Sequence, residues 1–217
     1  MLEQLKESVC KSNKALPKNG LVLWTSGNVS AKDPETEYVV IKPSGIHFED
    51  LTPDNMIVVD LAGNVIEGEL SPSVDTESHL YVYNHCPEVL GITHTHSPYA
   101  TAFSIAGESL PIYTTTSAAV FGKEIPLSEI AAVGEKAIGA EIVRCYQETK
   151  CPAILLKNHG VFTVGKSATN SLKNAVILEE TAQSVYYART LNASLQPLEE
   201  SYTEEVYDFY QNNYGQK

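Results

Sequence analysis

The chain has 217 residues, with 15 Lys and Arg against 27 Asp and Glu, which gives a formal net charge of −12. This length favours a single domain over residues 1–217, large enough to bury a core of its own. The acidic balance and the lack of a Lys/Arg cluster argue against a nucleic-acid partner. An apolar run of 18 residues is also missing, so we expect no membrane segment and a cytoplasmic protein. The four scattered cysteines form no C-x-x-C pair and are expected to be reduced thiols.

The first half of the chain predicts strands between amphipathic helices. Apolar residues at helical spacing predict a helix over residues 2–16, and the polar turn TSGNVS at 25–30 precedes a strand at 37–43. Further elements follow in chain order: a strand at 56–60, a helix at 76–86, a strand at 89–96, and a helix that begins after the Ser97-Pro98 pair.

The second half predicts the longer helices. Residues 110–122 indicate a loop or short strand, and Ser128 is placed to cap a long helix that includes Val133 and Ile142. Two apolar strands then flank the tripeptide NHG, at 153–157 and 161–165. A long helix from near Ser167 and a Tyr-rich helical tail follow these strands. Strands come first and long helices flank them, which favours one layered α/β domain.

His94 and His96 lie two positions apart in the segment GITHTHSPYA. Side chains alternate faces along a strand, so both imidazoles point the same way, with Cβ atoms roughly 6–7 Å apart. That spacing suits two ligands of one metal ion, although a pair of surface histidines would show it too. Because Ile92 shares their face, the strand carries the histidines into the core, where a buried imidazole needs a partner.

His159 is the natural third ligand. It lies in LLKNHGVF between two apolar strands, where Gly160 permits a sharp local geometry. Three protein ligands with one open position are typical of catalytic zinc sites, and a carboxylate could join them. The other histidines, His47, His79 and His85, lie in polar or helical contexts, and we expect them to be surface or structural residues.

Three short loops are suited to hold an anion: SGN at 26–28, KPSG at 42–45 and SPS at 71–73. Their backbone amides, Ser hydroxyls and Lys42 could together cradle a phosphate. Each loop alone indicates only a turn, because Gly, Pro, Asn and Ser occur in turns everywhere. Beside a candidate metal site, the three together favour a phosphorylated substrate.

In this order and spacing, the motifs TSGNVS, IKPSG, PSVDT with a following histidine, HTHS and NHG resemble the class II sugar-phosphate aldolase/epimerase family. The resemblance covers nearly the whole chain. It implies a single α/β domain of three layers, with a central, mainly antiparallel sheet flanked by helices. It also implies a C4 homotetramer whose active sites lie at subunit interfaces.

The resemblance assigns roles to individual residues. It implies that His94, His96 and His159 bind Zn²⁺, and such ligands suit Mn²⁺ or Co²⁺ as well. Asp75 falls where the family has an acidic residue that ligates the metal or moves a proton. Tyr214 resembles a C-terminal tyrosine that reaches a neighbouring subunit's active site. The residues that match the phosphate and substrate loops are Asn28, Lys42, Ser44, Gly45 and Ser73.

The implied substrate is a phosphorylated ketose that chelates the metal through its carbonyl and a neighbouring hydroxyl. Cleavage of the adjacent C–C bond leaves an enediolate, which the cation stabilises as a Lewis acid. An aldolase releases the aldehyde fragment, whereas a 4-epimerase rotates it and rebuilds the bond with inverted configuration. A base and an acid must move the protons in either reaction.

Two segments depart from the family pattern. Val74 replaces a serine that commonly helps to bind phosphate. Ala119 falls where the epimerases have an acid/base aspartate, and Ser117 replaces the histidine of that pattern. Aldolases of the fuculose type have a tyrosine near Thr115, for which Tyr113 could substitute.

Alanine cannot transfer a proton, so we expect in the first place a zinc-dependent sugar-phosphate aldolase that uses Asp75 and Tyr214. L-ribulose-5-phosphate 4-epimerase is the alternative, favoured by the similarity at both termini. A metal-dependent dehydratase on the same fold is a third candidate. A non-catalytic binding domain of the adducin type is a fourth, but the retained histidines and acidic residue argue against it.

Overall fold

The computed structural model describes residues 2–132 and 136–215, and seven strands and seven α-helices fall within these ranges. The strands are β1 (Asn28–Lys32), β2 (Val39–Ile41), β3 (Ile57–Val59), β4 (Val65–Glu67), β5 (Gly91–Thr95), β6 (Ala153–Leu156) and β7 (Gly160–Gly165). The helices are α1 (Glu3–Lys18), α2 (Thr76–His85), α3 (Pro98–Ala106), α4 (Thr115–Phe121), α5 (Lys136–Thr149), α6 (Ala168–Leu191) and α7 (Glu200–Asn213).

The seven strands form one antiparallel sheet in the order β4-β3-β2-β1-β5-β7-β6. At its centre β1 pairs with β5, so that Asn28 lies opposite His94 and Ser30 lies opposite Ile92. On the other side of β5, His94 lies opposite Phe162 of β7. The expected antiparallel sheet is therefore confirmed, and the strand that carries the first histidine lies in its middle.

Helices cover both faces of the sheet and make the three layers. Val82 of α2 and Ile142 of α5 pack on one face against Ile92 and Phe162. On the other face α1 and α6 pack against β1 through Val29 and its neighbours. Burying each side chain of this size stabilises the folded state by roughly 1.5–3 kcal/mol. Among the described helices, none has the length and apolar character needed to cross a lipid bilayer.

Asn13 fixes α1 to the start of β1. Its side-chain Nδ2 donates to the carbonyl of Val29 at 2.9 Å, and its Oδ1 accepts from the Val29 N–H at 2.9 Å. Asn13 is fully buried, so these bonds are made away from water, where leaving them unmade would cost about 1–3 kcal/mol. These bonds hold β1 in place at the residue next to Asn28, which begins the strand.

The four cysteines are distributed among the layers as buried free thiols: Cys10 in α1, Cys86 at the end of α2, Cys145 in α5 and Cys151 just before β6. Burial raises the pKa of all four, that of Cys151 to about 12. They therefore remain protonated and unreactive in the folded chain.

Two predictions from composition are wrong. The segment 25–30 is only partly a turn, because β1 begins at Asn28 and buries Val29 despite its polar neighbours. Residues 110–122 are not merely a loop or short strand, since α4 lies within them. Its start is explained by Thr114, whose side chain accepts from the Ser117 N–H at 3.1 Å in a capping box.

The prediction that Ser128 caps a long helix is also wrong. Ser128 donates its backbone N–H to the carbonyl of Leu155 at 2.8 Å, so this segment runs beside β6 instead. In the described part of the chain, α5 begins at Lys136. Val133, which belongs to the same predicted helix, lies outside the described residues.

The junction between β5 and α3 carries His96. Ser97 and Pro98 begin α3 as the sequence predicts, but the Ser97 side chain makes no capping bond. The carboxylate of Glu179 in α6 accepts from the N–H groups of Tyr99 and Ala100, at 2.9 Å each. A negative charge at this end of a helix is favourable, since its first amides have no acceptor within the helix.

Glu179→Ala should lower the free energy of unfolding by roughly 1–2 kcal/mol, because two amides of α3 lose their acceptor. Urea denaturation of the two proteins measures the difference. Glu180→Ala is the matched control, since Glu180 is the next residue of the same helix and is exposed. It should change stability by less than about 0.5 kcal/mol. Equal losses in both variants would contradict the capping role.

Candidate active site

Three histidines converge at one end of the central strands. The ring centroid of His94 lies 4.7 Å from that of His96 and 5.0 Å from that of His159, and the last two are 5.3 Å apart. One ring nitrogen from each lies within 4.8 Å of those of the other two. The structure thus brings together the three ligands that the sequence predicts.

The protonation of these imidazoles suits metal binding. His94 is 1% exposed, and its Nδ1 lies 2.9 Å from the carbonyl oxygen of Val161. A carbonyl only accepts, so the proton is on Nδ1 and the Nε2 lone pair is free. Burial lowers the pKa of His94 to about 3, and burial also lowers the pKa of His96 and of His159. All three side chains are therefore neutral at physiological pH, as ligands must be.

Gly160 of the NHG motif is needed for close packing. A Cβ atom at this position would lie 2.6 Å from the Thr95 carbonyl oxygen and 2.6 Å from Cδ2 of His96. The sharp local geometry expected of the NHG segment includes a left-handed backbone at Asn158, with φ of 59°. The glycine therefore makes room for the second histidine, and the asparagine supplies the turn.

The donor set fits a divalent cation. Three neutral imidazoles with space for one more ligand match the ligand number of catalytic zinc sites, and imidazole also binds cobalt or manganese. Among the described residues, the cluster whose ligand atoms converge consists of the three histidines and does not include Asp75. A fourth bond from Asp75 therefore stays a prediction.

Asp75 is an ionised carboxylate beside this cluster. Burial alone would raise its pKa, but the nearby His94 and His79 and the amide of Asn28 together hold the pKa below its usual value. The Asn28 Nδ2 group donates to Asp75 Oδ2 at 2.6 Å and to the hydroxyl of Ser73 at 3.0 Å. A single amide thus connects the predicted base to one of the predicted phosphate loops.

The loops at 42–45 and 71–73 form one structure. The Ser44 N–H donates to the Ser71 carbonyl at 2.9 Å, and the Ser73 N–H donates to the Lys42 carbonyl at 3.0 Å. Ser44 and Gly45 face solvent, and Gly45 has φ of 70°, with no atom within 4 Å of the place where a Cβ would lie. The exposed tip is therefore open to a ligand.

Lys42 is buried beneath these loops. Its ammonium donates to the carbonyls of Pro43 at 3.2 Å and Thr25 at 3.4 Å, and lies 5.1 Å from the ring centre of Phe48. Burial lowers the pKa of Lys42, and the charge of Asp75 opposes that effect. This side chain, 2% exposed, connects Thr25, which precedes the loop at 26–28, to the loop at 42–45.

Tyr214 lies away from the three histidines of its own chain. It is 71% exposed, and its ring stacks on Tyr210 at 4.3 Å and lies 5.5 Å from the ammonium of Lys173 in α6. Tyr210 lines a cavity with Gly165 at the far end of β7, roughly 16 Å along the strand from Gly160. A catalytic role for Tyr214 therefore requires a second subunit.

The segment with the missing aspartate is helical and buried. Ala119 is 8% exposed in α4, and its carbonyl accepts from Nε2 of Gln211 in α7 at 3.2 Å. Ala118 is fully buried. An alignment shifted by one residue would place Ala118 or Val120 at the family's acidic position, and neither side chain can transfer a proton.

His79 is a buried neighbour of Asp75 that the sequence did not single out. The sequence places it among the surface or structural residues, but it is fully buried one turn after Asp75, and its Nδ1 lies 2.7 Å from the hydroxyl of Ser30. The signal was present in the motif PSVDTESH, where a helix places positions i and i+4 on one face.

Fold and ligands together define an α/β protein with a three-histidine centre suited to a divalent metal. The chain belongs to the class II aldolase and adducin N-terminal domain family, whose model matches residues 7–186. This confirms the family that the motifs indicate.

Among curated proteins, L-ribulose-5-phosphate 4-epimerase UlaF from Salmonella paratyphi B is 41% identical over 208 residues, which cover 92% of this chain and 91% of the relative. Among solved structures, an L-fuculose 1-phosphate aldolase matches with a TM-score of 0.89 and 28% identity, over 96% of each chain. The L-fuculose 1-phosphate aldolase from Glaciozyma antarctica matches with a TM-score of 0.81 and 25% identity, over 95% of this chain and 81% of that one.

His94→Ala should weaken Zn²⁺ binding by more than the roughly 10–100-fold that loss of a residue supporting a metal ligand costs. Metal analysis after chelation, reloading and desalting would show about one zinc per wild-type chain and little in the variant. His85→Ala is the control, because His85 is an exposed histidine stacked on Tyr81. Zinc retained by His94→Ala, or lost equally from both variants, would refute the assignment.

Proposed function

We propose that this chain is the subunit of a divalent-metal-dependent L-ribulose-5-phosphate 4-epimerase, which interconverts L-ribulose 5-phosphate and D-xylulose 5-phosphate. The observation that carries the proposal is the 41% identity to an epimerase over 92% of this chain. This favours the alternative drawn from the sequence over the aldolase placed first there. The neutral three-histidine cluster supports a metal-dependent reaction.

The histidine cluster would hold the cation, with His94, His96 and His159 as ligands. When bound, a divalent cation supplies Lewis-acid stabilisation of the negative charge that develops on the ketose oxygens. The three neutral imidazoles leave its positive charge undiminished. Zinc is the metal we favour, because imidazole ligands and an open position are common to its catalytic sites.

Asp75 would move the proton. The hydroxyl at C4 gives its proton to the ionised carboxylate, the C3–C4 bond breaks, and a two-carbon aldehyde phosphate separates from a three-carbon enediolate. The aldehyde turns its other face to the enediolate before the bond re-forms, and the new C4 oxygen takes a proton back. No atom is gained or lost, and only the configuration at C4 is inverted.

The loops at 26–28, 42–45 and 71–73 would hold the phosphate. Exposed Ser44 offers its hydroxyl and exposed Gly45 its backbone N–H, and the buried Lys42 gives the loops a positive charge. Asn28 and Ser73 face the carboxylate of Asp75 from the same side. A phosphate held here would keep the aldehyde fragment in the site while its carbonyl turns.

We further propose a cytoplasmic homotetramer with shared active sites. Tyr214 lies on the α6 side of its own subunit, beside Lys173, whereas His94 points to the α2 side of the sheet. A neighbouring subunit could supply this tyrosine as the second proton-transfer group, on the opposite side of the substrate from Asp75. The epimerases' aspartate is absent at Ala119, which makes a second group from elsewhere necessary.

The second candidate is a sugar-phosphate aldolase. Two observations favour it: the alanines at 118 and 119, and the TM-score of 0.89 to an L-fuculose 1-phosphate aldolase. Cleavage without re-formation needs one proton-transfer group fewer on the aldehyde side. The two functions differ in the fate of the enediolate: in an epimerase its carbon re-forms the bond to the aldehyde, whereas in an aldolase the aldehyde leaves and that carbon takes a proton.

Zinc-loaded protein should convert L-ribulose 5-phosphate to D-xylulose 5-phosphate and should release little dihydroxyacetone phosphate from L-fuculose 1-phosphate. Chromatography follows the first product, and a coupled NADH assay follows the second. The reverse outcome would make the protein an aldolase. Loss of water without cleavage would identify a dehydratase, and no turnover of any sugar phosphate would favour a binding domain.

Mixed tetramers test the shared site. His94→Ala and Tyr214→Phe should each lose most activity when purified alone. Unfolded together and refolded as mixed oligomers, they should recover about one quarter of wild-type activity, since half of the histidine sites meet half of the intact tyrosines at random. Mixing without subunit exchange is the control. Full activity of Tyr214→Phe alone would exclude the tyrosine from the reaction.

A further inference from the structure

Three side chains at the start of α2 and within it lie at intervals of one helical turn above β1. Asp75 precedes the helix, His79 follows one turn later, and Tyr83 follows after another turn. The backbone N–H of His79 donates to the carbonyl of Asp75 at 3.1 Å, which fixes their stacking on one face. His79 is fully buried and Tyr83 is 1% exposed, so this face is closed to water.

A hydrogen-bonded chain connects these residues to the sheet. The Ser30 hydroxyl lies 2.7 Å from Nδ1 of His79 and 2.8 Å from the hydroxyl of Tyr83. In the described part of the chain, Nε2 of His79 is buried and has no protein hydrogen-bond partner. The ring packs edge-on against Phe162, which stacks in turn on His94.

The chain can run in two directions. Burial lowers the pKa of His79 to about 4, so the neutral ring carries one proton at physiological pH. If that proton were on Nδ1, Ser30 would accept it and donate to Tyr83, and the phenol proton would have no acceptor. If Tyr83 donates to Ser30 and Ser30 donates to Nδ1, each hydroxyl proton is used, and the one donor left without a protein acceptor is the Nε2–H of His79 instead of the phenol.

The second direction also suits the neighbouring charge. Asp75 is close enough to raise the pKa of His79 against the effect of burial. A buried lone pair on Nε2 near a carboxylate is unfavourable, whereas an N–H there is favourable. The Asp75 carboxylate accepts from Asn28 through Oδ2, which leaves its second oxygen without a bond from that amide.

We propose that His79 is a positioning residue of the active site: Tyr83 and Ser30 keep its proton on Nε2, so that this N–H turns the positive end of its dipole toward the carboxylate of Asp75, which the amide of Asn28 holds by a hydrogen bond. The proposal deepens the function proposed above, since it rests on Asp75 as the base. The chain Tyr83–Ser30–His79 thus connects the helix and the sheet to the reacting carboxylate.

The tautomer is measured without any substrate. Nitrogen NMR of metal-free wild-type protein labelled with ¹⁵N-histidine should show a proton on Nε2 of His79 and none on Nδ1. Tyr83→Phe should move part of the population to Nδ1, because Ser30 is then free to accept. A proton on Nδ1 of the wild type would overturn the proposal, whatever reaction the protein catalyses.

Kinetics separate positioning from packing. Ser30→Ala should lower kcat by roughly 10–100-fold with KM and zinc content unchanged. Ser171→Ala is the matched control, because it deletes a buried hydroxyl paired at 2.8 Å with Thr93, on the opposite face of the same sheet. Ser171→Ala should lower the melting temperature about as much as Ser30→Ala does, and its kcat should stay within about 2-fold of the wild-type value. Equal kcat in the two variants would reject the proposal.

Two conservative substitutions of His79 test which ring nitrogen carries the needed N–H. His79→Gln keeps an N–H donor near the position of Nε2 and should retain more of kcat than His79→Asn, whose amide ends near Nδ1. Equal loss in both, in proportion to lost stability, would show a purely structural role. A wild type inactive on L-ribulose 5-phosphate would refute the proposed function alone, because the NMR experiment still decides the tautomer.

Discussion

The antiparallel pairing of β1 with β5 is the constraint on which the site depends. It places Asn28 directly opposite His94, on the face that α2 covers. The amide of Asn28 then reaches Asp75 at the start of α2. A shift of one residue in this pairing would turn the side chains of one strand to the other face of the sheet and separate base from ligands. The bonds from Asn13 to Val29 hold β1 against α1 on the opposite face.

The site combines three neutral imidazoles with one ionised carboxylate. The three imidazoles are neutral because burial opposes their protonation, whereas the carboxylate beside them stays ionised. A cation is therefore attracted by Asp75 and bound by ligands that need no deprotonation. Lys42 is buried among carbonyl oxygens, and the charge of Asp75 raises the pKa of its ammonium against the effect of burial.

Much of this arrangement follows from the sequence by local rules. The alternation of strand side chains correctly gave the common face of His94 and His96, and an apolar strand on each side of NHG located His159. The motifs also identified the family, and with it the antiparallel sheet. These features depend on short-range periodicity or on an ordered set of short segments, both of which one sequence contains.

Other features depend on contacts between distant segments. The start of β1 looked like a turn, because Asn28 and Ser30 are polar for reasons that only their partners on α2 explain. The helix α4 was missed because its Thr- and Ala-rich sequence has no clear periodicity. Its capping box also has Ser117 at the third helical position, where Glu or Gln is usual. The order of residues also does not give the distances between α2 and β1. The contact of His79 with Ser30 therefore could not be predicted.

The distribution of the thiols has a practical consequence. One cysteine belongs to α1, two to the α2 and α5 layer, and one to the edge of the sheet, and all four are buried. An alkylating reagent can therefore modify each only when its own layer opens, so the order of modification, read by mass spectrometry, reports which layer separates from the sheet first. The native chain thus carries its own reporters for α1, for the α2 and α5 layer and for the edge of the sheet, with no label introduced.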